Sequence, residues 1–352
     1  MPTARRAAVT AFVAMMAAPG CTSVAGDASP APRRFTEAVG SVALDGVSPA
    51  GVDVLDLAAT PDGGTLALLA DTADPAVTYL APIGDDARLG EVRRLDGAGG
   101  DRLFVTADGT VLVAAPGRLT TVRGETVELG VPGEVTALSP DGRRLYVAGG
   151  TQLAALDPAT GAVQDSVALG RGYTVQALAA TDDGVTALMS DARAVDLADV
   201  AVLAVWDGQL EAGPITELAP DSPASVPSAL RLTADGTAVV TLTAGSGEDP
   251  FRVVVVGDGE VTASHAVPGT DRTPADLAVS PDGRVAYLPV AGFEVESGVI
   301  SLDLDSGEQL ADVQLCDGQA TFGRVASAGE RLTVIGSCIT GALPSSTAFV
   351  VG

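Results

Sequence analysis

The chain has 352 residues, of which 47% are apolar but only 3% aromatic, so its core must be built mainly from Ala, Val and Leu. A formal net charge of -25 disfavours nucleic acid and anionic membrane surfaces as partners, because like charges repel. Every basic side chain apart from one histidine is arginine, and asparagine is absent, which excludes lysine nucleophiles, Schiff bases and asparagine ligands.

The first residues predict an export signal over 1–21. A pair of arginines is followed by the apolar run "AAVTAFVAMMAA", which is short for a membrane span, and then by "APGC" ending at Cys21. This ending resembles the lipobox of bacterial lipoproteins: Gly20 fits, although Ala18 replaces the usual leucine and Pro19 is atypical. The resemblance implies that Cys21 carries a lipid; the alternative is a plain cleaved signal.

The following segment, "TSVAGDASPAPRR" (22–34), is small, polar and proline-bearing, which is typical of a flexible tether. We therefore expect an exported protein. We expect it to be held to the outer side of the cytoplasmic membrane by an N-terminal lipid anchor, or to be secreted if Cys21 is not lipidated.

A repeated hairpin dominates the rest of the chain. In "VTALSPDGRRLYVAGG" (135–150), proline presets φ at the first corner of a turn and glycine accepts the left-handed conformation that closes a bulged hairpin. The unit returns as "TPDGGTLALLA", "TADGTVLVAA", "TDDGVTALMS", "TADGTAVVTL", "SPDGRVAYLPV" and, in worn form, "SAGERLTVIG". The turn markers, spaced 33 to 52 residues apart, are Asp62, Asp108, Asp141, Asp183, Asp235, Asp282 and Gly329.

This spacing is that of a four-stranded propeller blade, and seven markers indicate seven blades. The last repeat stops at "STAFVVG", its third strand, whereas "EAVGSVALDG" (37–46) has no repeat of its own. We predict an all-β fold for 35–352. It is a seven-bladed β-propeller of four-stranded antiparallel blades, whose ring is closed by the N-terminal strand completing the last blade.

The units "SPDGRRLYVAG" and "SLDLDSG" resemble YVTN-type seven-bladed propellers and, more distantly, TolB-type and WD-repeat propellers. The likeness is one of pattern, because this chain has Tyr146-Val147-Ala148-Gly149 where the signature has "YVTN". Such families include surface proteins, lactonases and binding scaffolds. The resemblance therefore implies a fold and leaves the function open.

Cys316 and Cys338 predict a disulfide, because an even pair of thiols in an exported protein favours one. Cys316 ends the fourth predicted strand of blade 6, and Cys338 ends the second strand of blade 7, so both open loops on the same face. We expect the bond to pin the blade that the N-terminal strand completes.

Acidic residues recur in the loops after the second strand of four blades, on the face opposite the Asp-Gly hairpins. They are Asp71, Asp74, Asp191, Asp196, Asp199, Glu248, Asp249, Glu294 and Glu296. The set indicates a cation site, with calcium as the candidate, or a docking surface for a basic partner, or merely a solvated face. The run "DARAVDLAD" lacks the spacing and the glycine of an EF-hand loop, which weakens the calcium interpretation.

Two classes of function stay open. The first is a non-catalytic binding or scaffolding module for a protein, glycan or small ligand, without a cofactor, and we expect a monomer. The second is a hydrolase or lactonase with an acidic site at the channel mouth. A hydrolase triad needs a histidine, and the single one, His265, lies in the outer-strand pattern "EVTASHAVPG".

Overall fold

The computed structural model describes residues 35–96, 99–191, 200–220, 225–243, 251–269, 272–292, 297–316, 319–339 and 346–352. These residues form seven antiparallel sheets, which confirms the predicted seven-bladed β-propeller. The predicted export signal, the tether and Cys21 lie outside the described residues. Among the described residues, no helix combines the length and the apolar character that crossing a bilayer requires.

The chain begins with β1 (Ala38–Ala43) and a 3-10 turn at Asp45–Val47, and it then forms blades 1 to 6 in order. With the innermost strand first, blade 1 holds β2 (Val52–Ala59), β3 (Thr65–Asp71), β4 (Val77–Ile83) and β5 (Arg93–Asp96). Blade 2 holds β6 (Arg102–Val105), β7 (Val111–Ala115), β8 (Arg118–Thr121) and β9 (Thr126–Glu128). Blade 3 holds β10 (Val135–Leu138), β11 (Leu145–Gly149), β12 (Gln152–Leu156) and β13 (Val163–Ala168).

The next three blades repeat this order. Blade 4 holds β14 (Tyr173–Ala180), β15 (Gly184–Asp191), β16 (Val200–Asp207) and β17 (Ala212–Glu217). Blade 5 holds β18 (Val226–Leu232), β19 (Ala238–Thr243), β20 (Phe251–Gly257) and β21 (Glu260–Ala266). In blade 6 the innermost position is split between β22 (Arg272–Pro274) and β23 (Ala278–Val279), followed by β24 (Val285–Gly292), β25 (Ser297–Asp303) and β26 (Gln309–Cys316).

Blade 7 is completed by the N-terminal strand, as the sequence predicts. Its strands are β27 (Ala320–Ala328), β28 (Arg331–Cys338), β29 (Thr347–Val351) and β1. The N–H of Gly352 donates to the carbonyl of Glu37 at 3.0 Å, and the Phe35 ring packs 4.8 Å from the Tyr287 ring of blade 6. The two chain ends therefore hold one blade together.

The predicted disulfide is present. Cys316 at the end of β26 is bonded to Cys338 at the end of β28, with 5.5 Å between their Cα atoms. The bond joins blade 6 to blade 7, beside the seam that the N-terminal strand closes.

Seven apolar clusters make up the core, one at each interface between neighbouring blades. Strand β3 shows how one strand serves two interfaces. Leu66 and Leu68 pack towards blade 2, whereas the alternate residues Ala67 and Leu69 pack towards blade 7. Because successive side chains of a strand point to opposite faces, an almost unbroken apolar run buries both faces of the blade.

The hairpin turns follow the chemistry expected from the sequence. The Ser139 hydroxyl donates to Asp141 Oδ1 at 2.7 Å, and this oxygen also accepts the N–H of Arg143 at 3.0 Å. Gly142 has φ 70°, the left-handed region that a glycine enters without strain. The same hydroxyl-to-carboxylate bond recurs from Thr60 to Asp62, Thr106 to Asp108, Thr233 to Asp235 and Ser280 to Asp282.

Blade 4 departs from this pattern. Gly184 is already the first residue of β15, so Asp182 and Asp183 are the two turn residues. The prediction that the glycine closes a bulged hairpin is therefore wrong for this blade. The N–H of Thr181 donates to the carbonyl of Gly184 at 3.0 Å. The shorter turn leaves Asp182 Oδ1 to accept the N–H of Asp141 in blade 3 at 2.9 Å, so the extra aspartate links two neighbouring hairpins.

We predict that replacing Cys316 and Cys338 by alanine lowers the free energy of unfolding by about 3 kcal/mol, because the bond closes a loop with a sequence separation of 22. Urea denaturation measures the loss. A reductant should destabilise the wild type to the same extent and leave the variant unchanged. Equal stability of the oxidised wild type and the variant contradicts the prediction.

Four turn aspartates have a pKa below the ordinary value of 3.8, chiefly because the Ser or Thr hydroxyl two residues earlier donates to them; they are Asp62, Asp108, Asp141 and Asp235. A carboxyl whose pKa is lower in the folded state stabilises the fold above its unfolded pKa. That contribution disappears as the pH falls through the folded pKa.

We therefore expect the stability difference between wild type and Asp108→Asn to be largest near neutral pH and to shrink as the pH falls below about 4. Urea denaturation at a series of pH values measures it. Thr106→Val, which removes the main donor to Asp108, should reduce the same pH dependence. A difference that stays constant over the series contradicts the assignment.

Candidate functional site: the central channel

The innermost strands of all seven blades line one central channel. It holds two cavities: a larger one of about 390 Å³, lined by the starts of these strands, and a smaller one of about 290 Å³, lined by later residues. Asp56, Arg102 and Arg231 line both, so charged side chains stand where the two cavities meet.

One extra residue interrupts the pairing of the innermost strand in blades 1, 4, 5 and 7. In blades 4 and 5 the extra residues are Gln176 and Ser228, and both line the larger cavity. A β-bulge re-aims side chains, and here it lets polar residues of an otherwise apolar strand face the channel.

Asp56 joins three blades. This buried carboxylate accepts the N–H of Leu57 at 3.0 Å and, through Oδ2, the N–H of Leu103 in blade 2 at 2.8 Å. On its other side, Arg324 of blade 7 lies with Nε 3.7 Å from Asp56 Oδ1, and the same Nε donates to the carbonyl of Leu55 at 2.9 Å.

Asp276 repeats the arrangement. Its buried Oδ2 accepts the N–H of Val325 in blade 7 at 3.1 Å, and its Oδ1 accepts from Nη2 of Arg231 in blade 5 at 3.0 Å. Asp56 and Asp276 each stand six residues before a turn aspartate, so they occupy equivalent places in their blades.

We call Arg231, Asp276, Arg324 and Asp56 the channel belt. The belt and its backbone partners run without a break through blades 5, 6, 7, 1 and 2, across the blade where the chain ends meet. Each buried carboxylate has both an arginine and a backbone N–H as partners, which offsets the cost of removing its charge from water.

The channel wall of blades 2 to 4 is different. Asp101 and Glu134 are exposed there, and among the described residues their carboxylates have no hydrogen-bond or ion-pair partner. Arg102, half-buried beside Asp101, likewise has no ion-pair partner within the described ranges. Gln176 donates to Ser190 Oγ at 3.4 Å. This wall therefore presents unpaired charge to the cavity.

The predicted acidic loop face is only partly described. Asp71 ends β3 and caps its own loop: its carboxylate accepts from Ser48 Oγ at 2.5 Å and from the N–H of Ala73 at 2.8 Å. The Ser48 bond is the largest cause that holds the pKa of Asp71 below its ordinary value. Asp74 accepts the N–H of Ala76 at 3.1 Å.

The structure brings the other predicted residues of the acidic loop face into no common cluster within the described ranges. Asp191 ends β15. Outside the described residues lie Asp196, Asp199, Glu248, Asp249, Glu294 and Glu296. Within the described ranges, no group of three or more His, Cys, Asp or Glu side chains is arranged to hold a metal ion. The cation site and the docking surface stay predictions.

His265 lies in β21, the outermost strand of blade 5, as its sequence pattern predicts. Its Nε2 lies 2.8 Å from the carbonyl oxygen of Leu304 in the next blade. The single histidine of the chain therefore bridges two blades and is not among the residues that line the channel cavities.

Sequence reasoning placed the candidate site on the loops and missed the channel belt. A signal was present: the tripeptide Asp-Leu-Ala stands at Asp56 and again at Asp276, at the same distance before the Asp-Gly turn. A charged residue repeated at one register of an apolar strand marks a position that faces water or a partner. The two arginine partners carry no such repeat.

No family model matches the chain, and no curated protein matches it. Among solved structures, the β-propeller domain of Cps50 (Swd1) from Myceliophteria thermophila has a TM-score of 0.60 at 13% identity, over 85% of this chain and 95% of that one. Hydrazine synthase from Kuenenia stuttgartiensis has a TM-score of 0.58 at 14% identity, over 80% of this chain and 92% of that one. At such low identity the likeness supports the fold alone.

We predict that Asp276→Ala lowers the free energy of unfolding by about 2 kcal/mol, because it leaves the buried N–H of Val325 without an acceptor. A double-mutant cycle with Arg231→Ala should give a coupling of about 1 kcal/mol, since the guanidinium is partly exposed and screened. Asp101→Ala, in the same cavity, should change stability by less than about 0.5 kcal/mol. Equal losses for Asp276→Ala and Asp101→Ala contradict the role of the channel belt.

Proposed function

We propose that the protein is an exported propeller, anchored by a lipid on Cys21 to the outer side of the cytoplasmic membrane, that binds a protein, glycan or small ligand without transforming it. The observation that carries the proposal is the state of the two buried channel carboxylates. Asp276 accepts a hydrogen bond from Arg231, Asp56 makes an ion pair with Arg324, and both carboxylates accept backbone N–H groups, so neither is placed to exchange a proton with a substrate.

The position of the histidine supports the same reading. A Ser-His-acid triad at the channel mouth needs an imidazole there, and His265 stands on the outermost strand of blade 5 instead. The location and the anchor rest on the N-terminal sequence, and membership among YVTN-type propellers rests on the repeated "SPDGRRLYVAG" pattern.

A second candidate is a hydrolase or lactonase with an acidic site at the channel mouth. One observation favours it: Asp101 and Glu134 expose carboxylates to the larger cavity without a partner among the described residues. A free carboxylate in a cavity is a candidate general base.

One experiment with Cys21→Ser tests the proposal. We expect the wild type in the membrane fraction and Cys21→Ser in the soluble extracellular fraction, because the variant lacks the thiol that would carry the lipid anchor. The released protein serves as bait for solubilised cell envelope and for glycan arrays, and the same preparation is assayed on a panel of lactones and esters.

A charge reversal on each face provides the matched control. Asp74→Arg lies in the loop after β3, and Glu125→Arg lies in the opposite-face turn between β8 and β9. Loss of capture with Asp74→Arg but not with Glu125→Arg supports binding by the loop face. Turnover of a lactone or ester, together with no captured partner, overturns the proposal in favour of the second candidate. If the wild type and Cys21→Ser distribute equally between the membrane and soluble fractions, the proposal of a lipid anchor on Cys21 is wrong.

A further inference from the structure

The interface between blades 1 and 2 has the smallest of the seven apolar clusters that the described residues form. Its buried members are Leu66, Leu68, Leu80, Leu95, Leu103 and Val113. The strands of blade 2 have only three to five residues, whereas β2, β3 and β4 of blade 1 have seven or eight. The shorter blade therefore covers only part of the face that blade 1 turns towards it.

A cavity of about 750 Å³ lies at this interface, on the face of the Asp-Gly hairpins, and it is larger than either channel cavity. Leu66 and Leu89 line it from blade 1, and Val105 and Val111, which are cross-strand partners, line it from blade 2. Leu66 is buried, but the other three side chains are only half-buried. An apolar group that enters the cavity removes these side chains from water, which favours binding.

Cavities on the same face between blades 4 and 5 and between blades 5 and 6 provide a comparison within the molecule. Apart from the half-buried Val205, the valine and leucine side chains that line them are buried. These buried residues are Val185, Leu203, Val255, Val256 and Leu304. The cavity between blades 1 and 2 differs because its apolar walls still face water, and its volume lies within the usual range for small-molecule pockets.

The rim of the cavity between blades 1 and 2 carries two free carboxylates. Asp62 and Asp108 are exposed there, and each accepts through Oδ1 the threonine hydroxyl two residues earlier. Their Oδ2 atoms have no partner among the described residues. The hydroxyl bond is the largest cause that holds the pKa of both groups below the ordinary value, so both are charged at neutral pH.

Basic side chains do not neutralise this rim. Arg88 lines the cavity, but its Nε lies 3.4 Å from Asp86 Oδ2, and these two charges cancel. Arg143, in the neighbouring hairpin of blade 3, lies with Nε 3.6 Å from Asp141 Oδ2. Among the described residues that line the cavity, the carboxylates of Asp62 and Asp108 are therefore left without a counter-ion.

Walls and rim together select the class of ligand. A neutral apolar molecule covers the walls but takes water from the two carboxylates without replacing it. An apolar anion is repelled by them, and a small hydrated cation leaves the walls uncovered. A molecule that joins an apolar body to one positive charge satisfies both.

We propose that the cavity between blades 1 and 2 binds a small amphipathic cation, whose apolar body packs between Leu66, Leu89, Val105 and Val111 and whose ammonium group faces Asp62 and Asp108. This site lies on the hairpin face, apart from the channel and from the loop face. The inference therefore adds a site to the proposed function and does not rest on it.

The test measures binding of hexylammonium to the purified Cys21→Ser protein by isothermal titration calorimetry. Ethylammonium carries the charge without the apolar body, whereas hexan-1-ol and hexanoate carry the body without the positive charge. We expect one molecule of hexylammonium to bind, at least about tenfold more tightly than ethylammonium and at least about fivefold more tightly than hexan-1-ol or hexanoate.

A pair of turn variants tests the rim. Asp62→Asn combined with Asp108→Asn should weaken hexylammonium at least about fivefold and leave hexan-1-ol unchanged. The matched control combines Asp235→Asn with Asp282→Asn, which alters the equivalent hairpins of blades 5 and 6 and has the same hydroxyl-to-carboxylate bonds to lose. It should change the affinity less than about twofold.

A second variant tests the walls. Val111→Phe places a larger side chain in the cavity and should weaken both hexylammonium and hexan-1-ol at least about tenfold. Val205→Phe, at the half-buried valine of the cavity between blades 4 and 5, is the control and should leave both affinities unchanged. The asparagine pair keeps the turn geometry, so it tests the site even if Val111→Phe does not fold.

Four results would each overturn the inference. They are no binding of hexylammonium, equal affinity for hexylammonium and hexanoate, equal weakening by the two asparagine pairs, and a folded Val111→Phe protein that binds as the wild type does. Capture of an envelope partner and turnover of a lactone or ester are separate measurements, so they decide the proposed function and leave the outcome at this cavity unaffected.

Discussion

Each blade of this propeller has two apolar faces, and neither is stable in water. Strand β3 shows the constraint most simply, because Leu68 and Leu69 are adjacent in sequence and fully buried in different interfaces. A row of such blades leaves one apolar face exposed at each end, whereas a ring leaves none. The N-terminal strand, the contact of Phe35 with Tyr287 and the Cys316–Cys338 bond all lie where the ring closes.

Ring closure also creates the channel. The innermost strand of every blade is an edge strand. Its backbone N–H groups on the channel side therefore have no neighbouring strand to pair with. Asp56 and Asp276 supply side-chain acceptors for two of these groups, Leu103 N–H and Val325 N–H, each in the next blade. Arg324 and Arg231 then offset the buried charge. The channel belt thus satisfies backbone N–H groups that the edge strands leave unpaired. It also leaves two partly exposed guanidinium groups facing the larger cavity.

Carboxylates play three roles in this acidic chain, and burial and partners separate them. Asp141 accepts bonds within its own hairpin and shapes a turn. Asp276 accepts bonds from two other blades and joins the ring. Glu134 has no side-chain partner among the described residues and faces the larger cavity. Of the three, only the third kind has a carboxylate that is still available to a ligand entering the cavity.

The sequence by itself determined the blades, because short apolar runs and Ser/Thr-x-Asp-Gly turns are local signals; it also predicted closure by β1 and the pairing of Cys316 with Cys338. It predicted the turn of blade 4 one residue too long, because in "TDDG" Asp182 and Asp183 form the turn and Gly184 already begins β15. Only the tertiary structure decided the channel. Arg231 pairs with Asp276, 45 residues away, and Arg324 with Asp56, from the opposite end of the chain. No local pattern records such pairs: the packing of neighbouring blades 5 and 6 brings Arg231 to Asp276, and ring closure brings Arg324 of the last blade to Asp56 of the first.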